Sequence, residues 1–471
     1  MQTKTAICSA APFLLATALV RGAPGTPIPS DPGVRHTVTD SGPPAALAGL
    51  GPDEMAFFRD GLARFDTVEV VSGATTIQGN GLGPRFNSNQ CASCHLQPNV
   101  GGSSPPQNPL IRIATADGAI NTIPWFIVGD GPVREARFVQ SNGVRDGGVH
   151  NLFVVTGRAD AGNCAITQPV FTPAGDPLTG QGGNPNIVFR IPSPIFGAGL
   201  IEAIPDSAIL ANMRNNEEQN GQAGVHGHAN AILGGNTNLS ANDGTITRFG
   251  WKAQNKSLLM FAGEAYNVEM GISNELFPQE RDETPACRTY SSTPEDTDNF
   301  PATASIAATA VLSDIEAFAD FMRMLAPPVA APSTPSTVNG RAAFDSVGCT
   351  DCHTPSFTTG SAIATGSSRN PSPALSGQQV NLYSDLLVHR MGQDLADGIT
   401  QGAAGPDEFR TAPLWGLGQR MFFLHDGRTS DLMVAIEAHE SQGSEANAVV
   451  QQFNGLSAPQ QQDVLNFLRS L

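Results

Sequence analysis

The sequence predicts a mainly α-helical protein of two domains that share one plan, the first of them enlarged by an irregular, β-containing insertion. Three observations support this prediction. The motif Cys-x-x-Cys-His occurs twice, as Cys91-Ala-Ser-Cys94-His95 and as Cys349-Thr-Asp-Cys352-His353. A segment with apolar residues at helical spacing precedes each motif. Between about residues 110 and 200 the helical pattern gives way to short β-rich runs that Gly, Asn and Asp separate.

Length and composition narrow the class of protein. A chain of 471 residues is long enough for two or three domains of roughly 150 residues each. Its 50 Gly and 36 Pro indicate irregular connections between short helices. The 43 acidic and 26 basic residues give a net charge of −17, which argues against nucleic acid and against an anionic membrane surface as partners. The charge suits a small basic redox partner, and simple solubility explains it equally well.

The first 23 residues have the pattern of an export signal. Lys4 provides a positive start, residues 6–20 are apolar, and the small residues Gly22 and Ala23 follow. This apolar stretch is too short to span a bilayer, and no other run of 18 apolar residues occurs. We therefore expect a periplasmic or secreted protein without a membrane span. Residues 24–44 are rich in Pro and Gly and are expected to form an extended arm.

Residues 45–325 are assigned to the N-terminal domain. A helix is expected from about Pro52, with an apolar face towards the core. Its apolar face comprises Met55, Phe57, Phe58, Leu62 and Phe65. The β-rich runs of the insertion are 110–113, 126–128 and 152–155, and helices are expected again over 256–275 and 305–325.

A Pro-rich linker is predicted at residues 326–339, because its prolines favour a stiff, extended chain. Residues 340–471 form the predicted C-terminal domain. In it, a helix starting at Gly340 leads into the second motif. A final helix is expected from Ala458 to Leu471, with Val464, Leu465 and Leu468 spaced for burial.

Within each motif, the spacing of the two cysteines and the histidine is that of covalent haem c attachment. Each cysteine thiol adds to one haem vinyl group, and the histidine that follows binds the iron. Zinc is the alternative ligand of a Cys-x-x-Cys pair, but a zinc site would need another cysteine pair close by. The sequence therefore predicts two cytochrome c-like domains, each with one covalently bound haem c. The attachment residues are Cys91, Cys94, Cys349 and Cys352, and the iron ligands are His95 and His353.

The remaining cysteines of the exported chain are Cys164 and Cys287. Two spare cysteines in an oxidising compartment most often form a disulfide, and we expect one here.

Three segments give the chain a family resemblance. They are Arg410-Thr-Ala-Pro-Leu-Trp-Gly-Leu-Gly418, Phe423-Leu-His-Asp-Gly-Arg428 and Phe249-Gly-Trp-Lys-Ala-Gln254. With the two motifs in order, they resemble the di-haem oxidoreductases, which are relatives of the bacterial dihaem cytochrome c peroxidases and of MauG. The resemblance extends from about residue 45 to the end of the chain.

The resemblance implies a division of labour between the haems. In these relatives the N-terminal haem meets hydrogen peroxide and the C-terminal haem delivers electrons. An acidic residue in a Glu-Met-Gly motif moves the proton for cleavage of the O–O bond, a general acid–base task. Val268-Glu-Met-Gly271 resembles that motif, which makes Glu269 the expected acid/base.

A short internal repeat supports this correspondence between the sequence and the family. Phe249-Gly-Trp251 stands 174 residues before Phe423-Leu-His425, and a leucine follows each at the same distance. The repeat pairs Trp251 with His425, one near each haem. Trp251 is expected to shape the catalytic pocket or to relay an electron.

The second ligand of the C-terminal iron is expected shortly after the His-Asp-Gly-Arg segment. His439 occupies that place at the end of an apolar, helical run, and Met421 and Met433 are competing ligands. Two imidazoles would give a six-coordinate iron of lower potential than a His/Met pair.

One feature departs from many dihaem peroxidases, which hold a removable histidine on the peroxidatic iron. Residues 101–111, where that histidine is expected, contain none. The N-terminal haem would then be open, unless His150, His226 or His228 reaches it from the insertion.

The leading functional hypothesis is an exported di-haem oxidoreductase of peroxidase type, with peroxide as the oxidant and a small cytochrome c or cupredoxin as the electron donor. The alternatives are a haem-dependent oxygenase or oxidase acting on an organic or protein substrate, and a non-catalytic electron-transfer cytochrome. A Ca²⁺ ion between the domains and a homodimer are common in the peroxidase relatives, and both remain open expectations here.

Overall fold

The computed structural model describes residues 28–36, 43–73, 75, 78–171, 186–221, 224–231, 245–279, 284–287 and 306–471. The predicted signal peptide, residues 1–23, lies outside the described residues. Helices form most of the regular structure of the described part, and the strands are short.

The α-helices of the described residues are α1 (Pro52–Phe65), α2 (Cys91–Cys94), α3 (Leu110–Ile113), α4 (Ala198–Glu202), α5 (Asp206–Asn220), α6 (Leu258–Met270), α7 (Asp314–Met324), α8 (Pro335–Ser346), α9 (Leu432–Glu437), α10 (Asn447–Asn454) and α11 (Ala458–Ser470). The strands are β1 (Val68–Val70), β2 (Gln78–Asn80), β3 (Arg85–Phe86), β4 (Glu135–Phe138), β5 (Gln140–Ser141), β6 (Val144–Arg145), β7 (Val149–His150), β8 (Phe153–Val154), β9 (Ile187–Arg190), β10 (Phe357–Thr358), β11 (Gln379–Val380), β12 (Val388–Arg390) and β13 (Glu408–Arg410).

Helix α1 confirms the prediction for the first helix. Pro52 occupies its first turn, where no intrahelical donor is lost, and the Glu54 carboxylate accepts a hydrogen bond of 2.8 Å from the Gly51 amide. The helix packs against α7, where the rings of Phe65 and Phe321 lie 5.0 Å apart. Phe65 also meets the His95 ring edge to face at 6.1 Å, so this helix pair forms a wall beside the first motif.

The predicted β-rich runs are only partly confirmed. Residues 110–113 form helix α3, because the Asn108 side chain accepts a hydrogen bond from the Leu110 amide and starts a helical turn. Residues 126–128 form no strand, and the Ile127 amide instead closes a turn onto the Pro124 carbonyl. Of residues 152–155 only the central pair forms a strand, β8, which pairs with β3. A four-residue apolar run does not distinguish a strand from a buried turn of helix, which accounts for these errors.

The largest sheet of the described residues lies elsewhere in the insertion. It has three antiparallel strands in the order β7-β4-β9, with Ala136 opposite Phe189. Its central strand β4 carries charged side chains to the first cavity described below.

The C-terminal half begins earlier than predicted. Helix α8 starts at Pro335, five residues before Gly340, because Thr334 caps its first turn by accepting a hydrogen bond from the Thr337 amide. The predicted linker is therefore helical over its last residues. Gly340 lies where α8 crosses α11, and a Cβ atom there would collide with the Asp463 backbone. The predicted final helix is confirmed as α11, whose buried face is Val464, Leu465, Phe467 and Leu468.

Two apolar cores support the two motifs. The smaller core joins α8, α9, α10 and α11. The larger core belongs mainly to residues before 326, but it also contains side chains from the segment after the second motif, such as Leu375, Leu382 and Leu387. Backbone contacts reinforce this packing, as between the Gly360 amide and the Ala203 carbonyl at 2.8 Å. The two halves of the chain are therefore extensively packed together.

Two further expectations can be compared with the structure. The disulfide between Cys164 and Cys287 is present, as predicted. Residues 28–36 of the predicted arm form no helix or strand and lie on α11, where Asp31 pairs with Arg469 at 2.6 Å. Within the described ranges, no helix has the length and apolar character needed to cross a membrane.

Candidate active site

The first motif lies at the edge of a cavity of about 170 Å³. Cys91 and Cys94 occupy the short helix α2, and the His95 amide closes its turn onto the Cys91 carbonyl. The His95 Nδ1 atom is 3.1 Å from the Gly102 carbonyl oxygen, and the Ser193 backbone also lies against the ring. Burial lowers the pKa of His95 to about 4, so this imidazole is neutral at physiological pH.

The second motif repeats this arrangement at a cavity of about 220 Å³. The His353 amide bonds the Cys349 carbonyl, and Nδ1 of His353 lies 2.9 Å from the Tyr383 carbonyl oxygen. Burial lowers the pKa of His353 to about 4 as well.

His439 lines the same cavity as His353. It follows helix α9, and its Nδ1 lies 2.7 Å from the Ala435 carbonyl oxygen, which fixes the ring. Burial lowers its pKa. Met421 and Met433, the competing ligands in the sequence, are not among the residues that line this cavity.

These donor sets fit haem groups. In His95, His353 and His439 a backbone carbonyl engages Nδ1, which directs Nε2 to a metal, the usual arrangement of an iron-bound imidazole. The four motif cysteines form no disulfide. Burial raises the pKa of Cys94 to about 11 and that of Cys349 to about 12, so neither is a reactive thiolate by itself.

Glu269 faces the first cavity from the last turn of α6. Its Oε2 accepts a hydrogen bond of 2.8 Å from the Asn87 side-chain amide. The Asn87 side chain is itself held by the Leu152 amide at 2.7 Å. Burial raises the pKa of Glu269 to about 8, and the charge of Glu135 contributes to the increase. The carboxyl group is therefore protonated at neutral pH and can exchange a proton near it.

Glu135 also belongs to the candidate site, although the sequence did not predict it. It lies on strand β4 and lines the first cavity with Arg137, which projects from the same face two residues later. Glu135 Oε1 and Arg137 Nε are 2.5 Å apart. Burial by itself would raise the pKa of Glu135, but the charge of Arg137 and its hydrogen bond have a larger, opposite effect. The pKa of Glu135 is therefore lowered. The available signal was a short segment, Val133-Arg-Glu-Ala-Arg-Phe138, in which a Glu and an Arg stand two residues apart and therefore lie on one face of a strand.

The short internal repeat corresponds to two loops of the same form. A backbone bridge from Phe249 to Asn255 closes the first loop, and one from Phe423 to Thr429 closes the second. The residues with positive φ also match: they are Gly250 (82°) and Ala253 (50°) in the first loop, and Leu424 (67°) and Gly427 (66°) in the second.

The equivalent residues of the two loops, Trp251 and His425, are in contact with each other. Their ring centroids lie 6.4 Å apart in an edge-to-face arrangement. Trp251 lines the first cavity and His425 the second, in line with the expected placement of one residue at each, and Trp251 additionally lines the second cavity. The Trp251 Nε1–H donates to the Ile191 carbonyl at 2.9 Å, and the Ile191 amide donates to the His425 carbonyl at 2.8 Å. These bonds fix the Trp251 ring between the cavities.

The histidines that were considered for the first cavity lie elsewhere. His150 contacts Asp146 at 2.6 Å, and His228 contacts Glu408 at 3.1 Å. His226 contacts Glu217 at 3.0 Å. Within the described part of the chain, His95 is the one histidine that lines this cavity.

A comparison with protein-family models decides the family. The model described as "Di-haem oxidoreductase, putative peroxidase" matches residues 184–471, which is more than half of the chain. The chain belongs to the di-haem oxidoreductase family. The match confirms the family resemblance over residues 184–471, and membership implies two haem groups.

Solved structures similar to this di-haem oxidoreductase share little sequence with it. Hydrazine synthase of Kuenenia stuttgartiensis is 16% identical over 37% of this chain and 59% of its own, with a TM-score of 0.21. A MauG-like protein associated with microbial copper homeostasis is 18% identical over 37% and 57%, with a TM-score of 0.23. The diheme peroxidase BthA of Burkholderia thailandensis is 14% identical over 47% and 65%, with a TM-score of 0.28.

Each of these matches spans less than two thirds of the other protein's chain. The curated proteins contain no match to this di-haem oxidoreductase.

The expectation of Ca²⁺ finds no support in this di-haem oxidoreductase. The described ranges contain no group of three or more His, Cys, Asp or Glu side chains that could hold a metal ion.

Proposed function

We propose that this di-haem oxidoreductase is an exported peroxidase whose two covalently bound haem c groups have different roles. The observation that carries the proposal is an asymmetry between the cavities. Both contain a Cys-x-x-Cys-His motif, but the partly buried Glu269 and Glu135 line only the first, whereas His439, together with His389 and His425, lines only the second. Trp251 lies between them.

The motif residues would hold the cofactors. The Cys91 and Cys94 thiols would attach one haem, and the Cys349 and Cys352 thiols the other, with His95 and His353 as the proximal ligands. When bound, the N-terminal haem would supply the iron at which peroxide is reduced, and the C-terminal haem would supply the electrons. The carbonyls that engage Nδ1 of His95 and His353 orient both imidazoles for this task.

Glu269 acts as the acid/base in this proposal. Cleavage of the O–O bond of peroxide requires a proton to leave one oxygen and a proton to reach the other, departing oxygen. With a pKa of about 8, Glu269 is mostly protonated at neutral pH, and its ionised fraction, which grows as the pH rises, can accept the first proton and return it to the departing oxygen. Asn87 positions the Glu269 side chain by a hydrogen bond. The negative charge of Glu135 raises the pKa of Glu269, so that Glu269 keeps its proton at neutral pH.

His439 distinguishes the second cavity. His353 and His439 would hold the iron of the C-terminal haem with two imidazoles, a donor set that suits electron transfer rather than peroxide binding. By contrast, the first cavity is lined by one histidine among the described residues, so the haem held there would have room for a small oxidant.

Trp251 is the proposed electron relay. Its indole contacts both cavities, and its hydrogen bond to Ile191 holds the ring rigidly. The electron donor is proposed to be a small cytochrome c or cupredoxin, and the net charge of −17 supports a basic one.

The test is peroxide-dependent oxidation of a reduced small cytochrome c without dioxygen. Wild type should turn over, and Glu269→Gln should lower kcat by about 10²- to 10⁴-fold, the usual range for loss of an acid/base group. Glu275→Gln is the matched control, because Glu275 is exposed just beyond the same helix. Unchanged turnover in Glu269→Gln would remove Glu269 from the mechanism, and turnover that required dioxygen instead of peroxide would contradict the proposal.

A further inference from the structure

Two arginines beside the second cavity differ from the other arginines of the described core. Arg410, at the end of β13, and Arg420, just after the 3₁₀ turn Leu417–Gln419, both line the cavity that contains His353. Both also line a neighbouring cavity of about 30 Å³, which Trp251 shares.

Neither guanidinium has a carboxylate within ion-pair distance among the described residues. Arg410 Nε donates to the Gly250 carbonyl at 3.0 Å, and Arg420 Nη2 donates to the Pro413 carbonyl at 2.8 Å. The Asp385 carboxylate attracts Arg410 from a distance, but His389 pairs with it at 2.9 Å. Burial lowers the pKa of each arginine to about 10, and for Arg410 the charge of Arg420 adds to the effect.

Other buried arginines of the described chain are paired with carboxylates. Arg64 is 3.1 Å from Asp314, and Arg190 is 2.7 Å from Asp397. Arg323 is 2.7 Å from Glu202. Arg410 and Arg420 therefore stand out as two neighbouring cations that line a cavity and form no ion pair with a carboxylate of the described residues.

Removing a cation from water costs several kcal/mol unless an anion compensates it, and two adjacent cations also repel each other. A guanidinium that keeps free N–H groups matches the two oxygens of a carboxylate, which it can bind through paired hydrogen bonds. The two partly exposed arginines thus favour an anionic ligand in the cavity, and a carboxylate suits their geometry best.

We propose that Arg410 and Arg420 bind the propionate carboxylates of the C-terminal haem. This inference rests on the proposed function, which puts a haem in the second cavity. The Arg410 amide also donates to the Trp251 carbonyl at 2.8 Å, so one residue contacts the propionates with its side chain and the loop of Trp251 with its backbone. The two positive charges would stabilise the ferrous state and raise the potential of this haem.

The test compares Arg410→Gln and Arg420→Gln with the charge-retaining Arg410→Lys and Arg420→Lys. Arg390→Gln is the control, because that side chain is 65% exposed. Haem content is counted first, and then each haem is titrated spectroelectrochemically. Each Gln variant should lower the midpoint potential of the C-terminal haem by about 59 mV for one electron. This shift corresponds to an increase of about tenfold in the ferric-to-ferrous ratio at the wild-type midpoint. The Lys variants should shift this midpoint potential less, and Arg390→Gln should leave it unchanged.

The outcomes separate the inference from the proposed function. Fewer than two haems in wild type would refute the proposed function. Two haems with an unchanged C-terminal potential in both Gln variants, or equal shifts in the Gln and Lys variants, would overturn the inference. If the Gln variants fail to retain haem, the inference is tested on the wild-type protein. Propionates that the arginines hold stay ionised, so the midpoint potential of the C-terminal haem should not change between neutral and mildly acidic pH. A midpoint potential that changes with pH over this range would contradict the inference.

A free carboxylate from solution is the other source of the same chemistry. Succinate added to the wild-type holoprotein should leave the spectrum and potential of the C-terminal haem unchanged, because the propionates already fill the site. Saturable succinate binding that the Lys variants weaken would assign the arginines to a free anion and overturn the inference.

Discussion

The Trp251 ring meets the His425 ring edge to face, with centroids 6.4 Å apart, where the two cavities adjoin. Phe409 stacks on the other side of His425 at 4.2 Å, and the Lys252 ammonium lies 4.0 Å from the Phe409 ring centroid. These contacts hold a row of rings beside the second cavity, and Trp251 extends the row to the first. In the proposed function, this row of rings would carry electrons between the two haem sites.

Trp251→Phe should therefore separate the two halves of the reaction. Peroxide should still react at the N-terminal haem, because Glu269 and His95 remain in place. Oxidation of the reduced C-terminal haem by peroxide should slow by roughly tenfold, about 1.4 kcal/mol of barrier. Stopped-flow spectroscopy measures both steps. Trp125→Phe serves as the control, because Trp125 lines neither cavity. Equal rates in Trp251→Phe and wild type would contradict the relay.

Glu135→Gln should shift the pH dependence of peroxide turnover. The pKa of Glu269 is raised to about 8 by burial and by Glu135, so the base form of Glu269 is gained as pH rises through that value. Removing the Glu135 charge lowers the pKa of Glu269, and the rise in kcat/KM should move to lower pH. The Glu275→Gln profile should match wild type. A shift of the Glu135→Gln profile to higher pH would show that Glu135 does not act on Glu269 in this way.

Replacement of His439 should change only the C-terminal haem. In His439→Ala that haem should lose its low-spin signature, whereas His439→Met should remain low-spin at a higher potential, because a thioether stabilises ferrous iron. EPR and redox titration measure the two effects. His226→Ala is the matched control, since His226 is an exposed partner of Glu217. A low-spin C-terminal haem in His439→Ala would mean that another side chain ligates the iron.

The disulfide should contribute substantially to stability. Cys164 and Cys287 are 123 residues apart, so their bond restricts a long loop of the unfolded chain. Replacing both by Ser should lower the free energy of unfolding by about 2–5 kcal/mol. Chemical denaturation of the holoprotein measures this change in the free energy of unfolding. Below the unfolding transition, the double substitution should leave haem content and peroxide turnover unchanged. An unaltered denaturation midpoint would contradict the prediction.

The sequence predicted the parts of the site that depend on local spacing. The motif geometry, the helix of Glu269 and the position of His439 after an apolar run all follow from neighbours along the chain. The 174-residue repeat even indicated two equivalent loops, which the matching bridges and positive φ angles bear out.

The remaining features depend on contacts between distant segments. Glu135 reaches Glu269 because strand β4 pairs with β7 and β9, and a four-residue strand is too short for its neighbours to be predicted. The contact of Trp251 with His425 depends on how the two loops pack. Arg410 and Arg420 look like ordinary charges in the sequence, and only the folded structure shows that neither forms an ion pair with a carboxylate of the described residues.

The central claim is that the two haem sites differ, one open for peroxide and one closed for electron transfer. The EPR spectrum of the fully oxidised holoprotein tests it most directly. The account predicts one high-spin ferric haem, at the cavity of His95 and Glu269, and one low-spin ferric haem between His353 and His439. Two low-spin haems would contradict the account, because neither iron would then have a free position for peroxide.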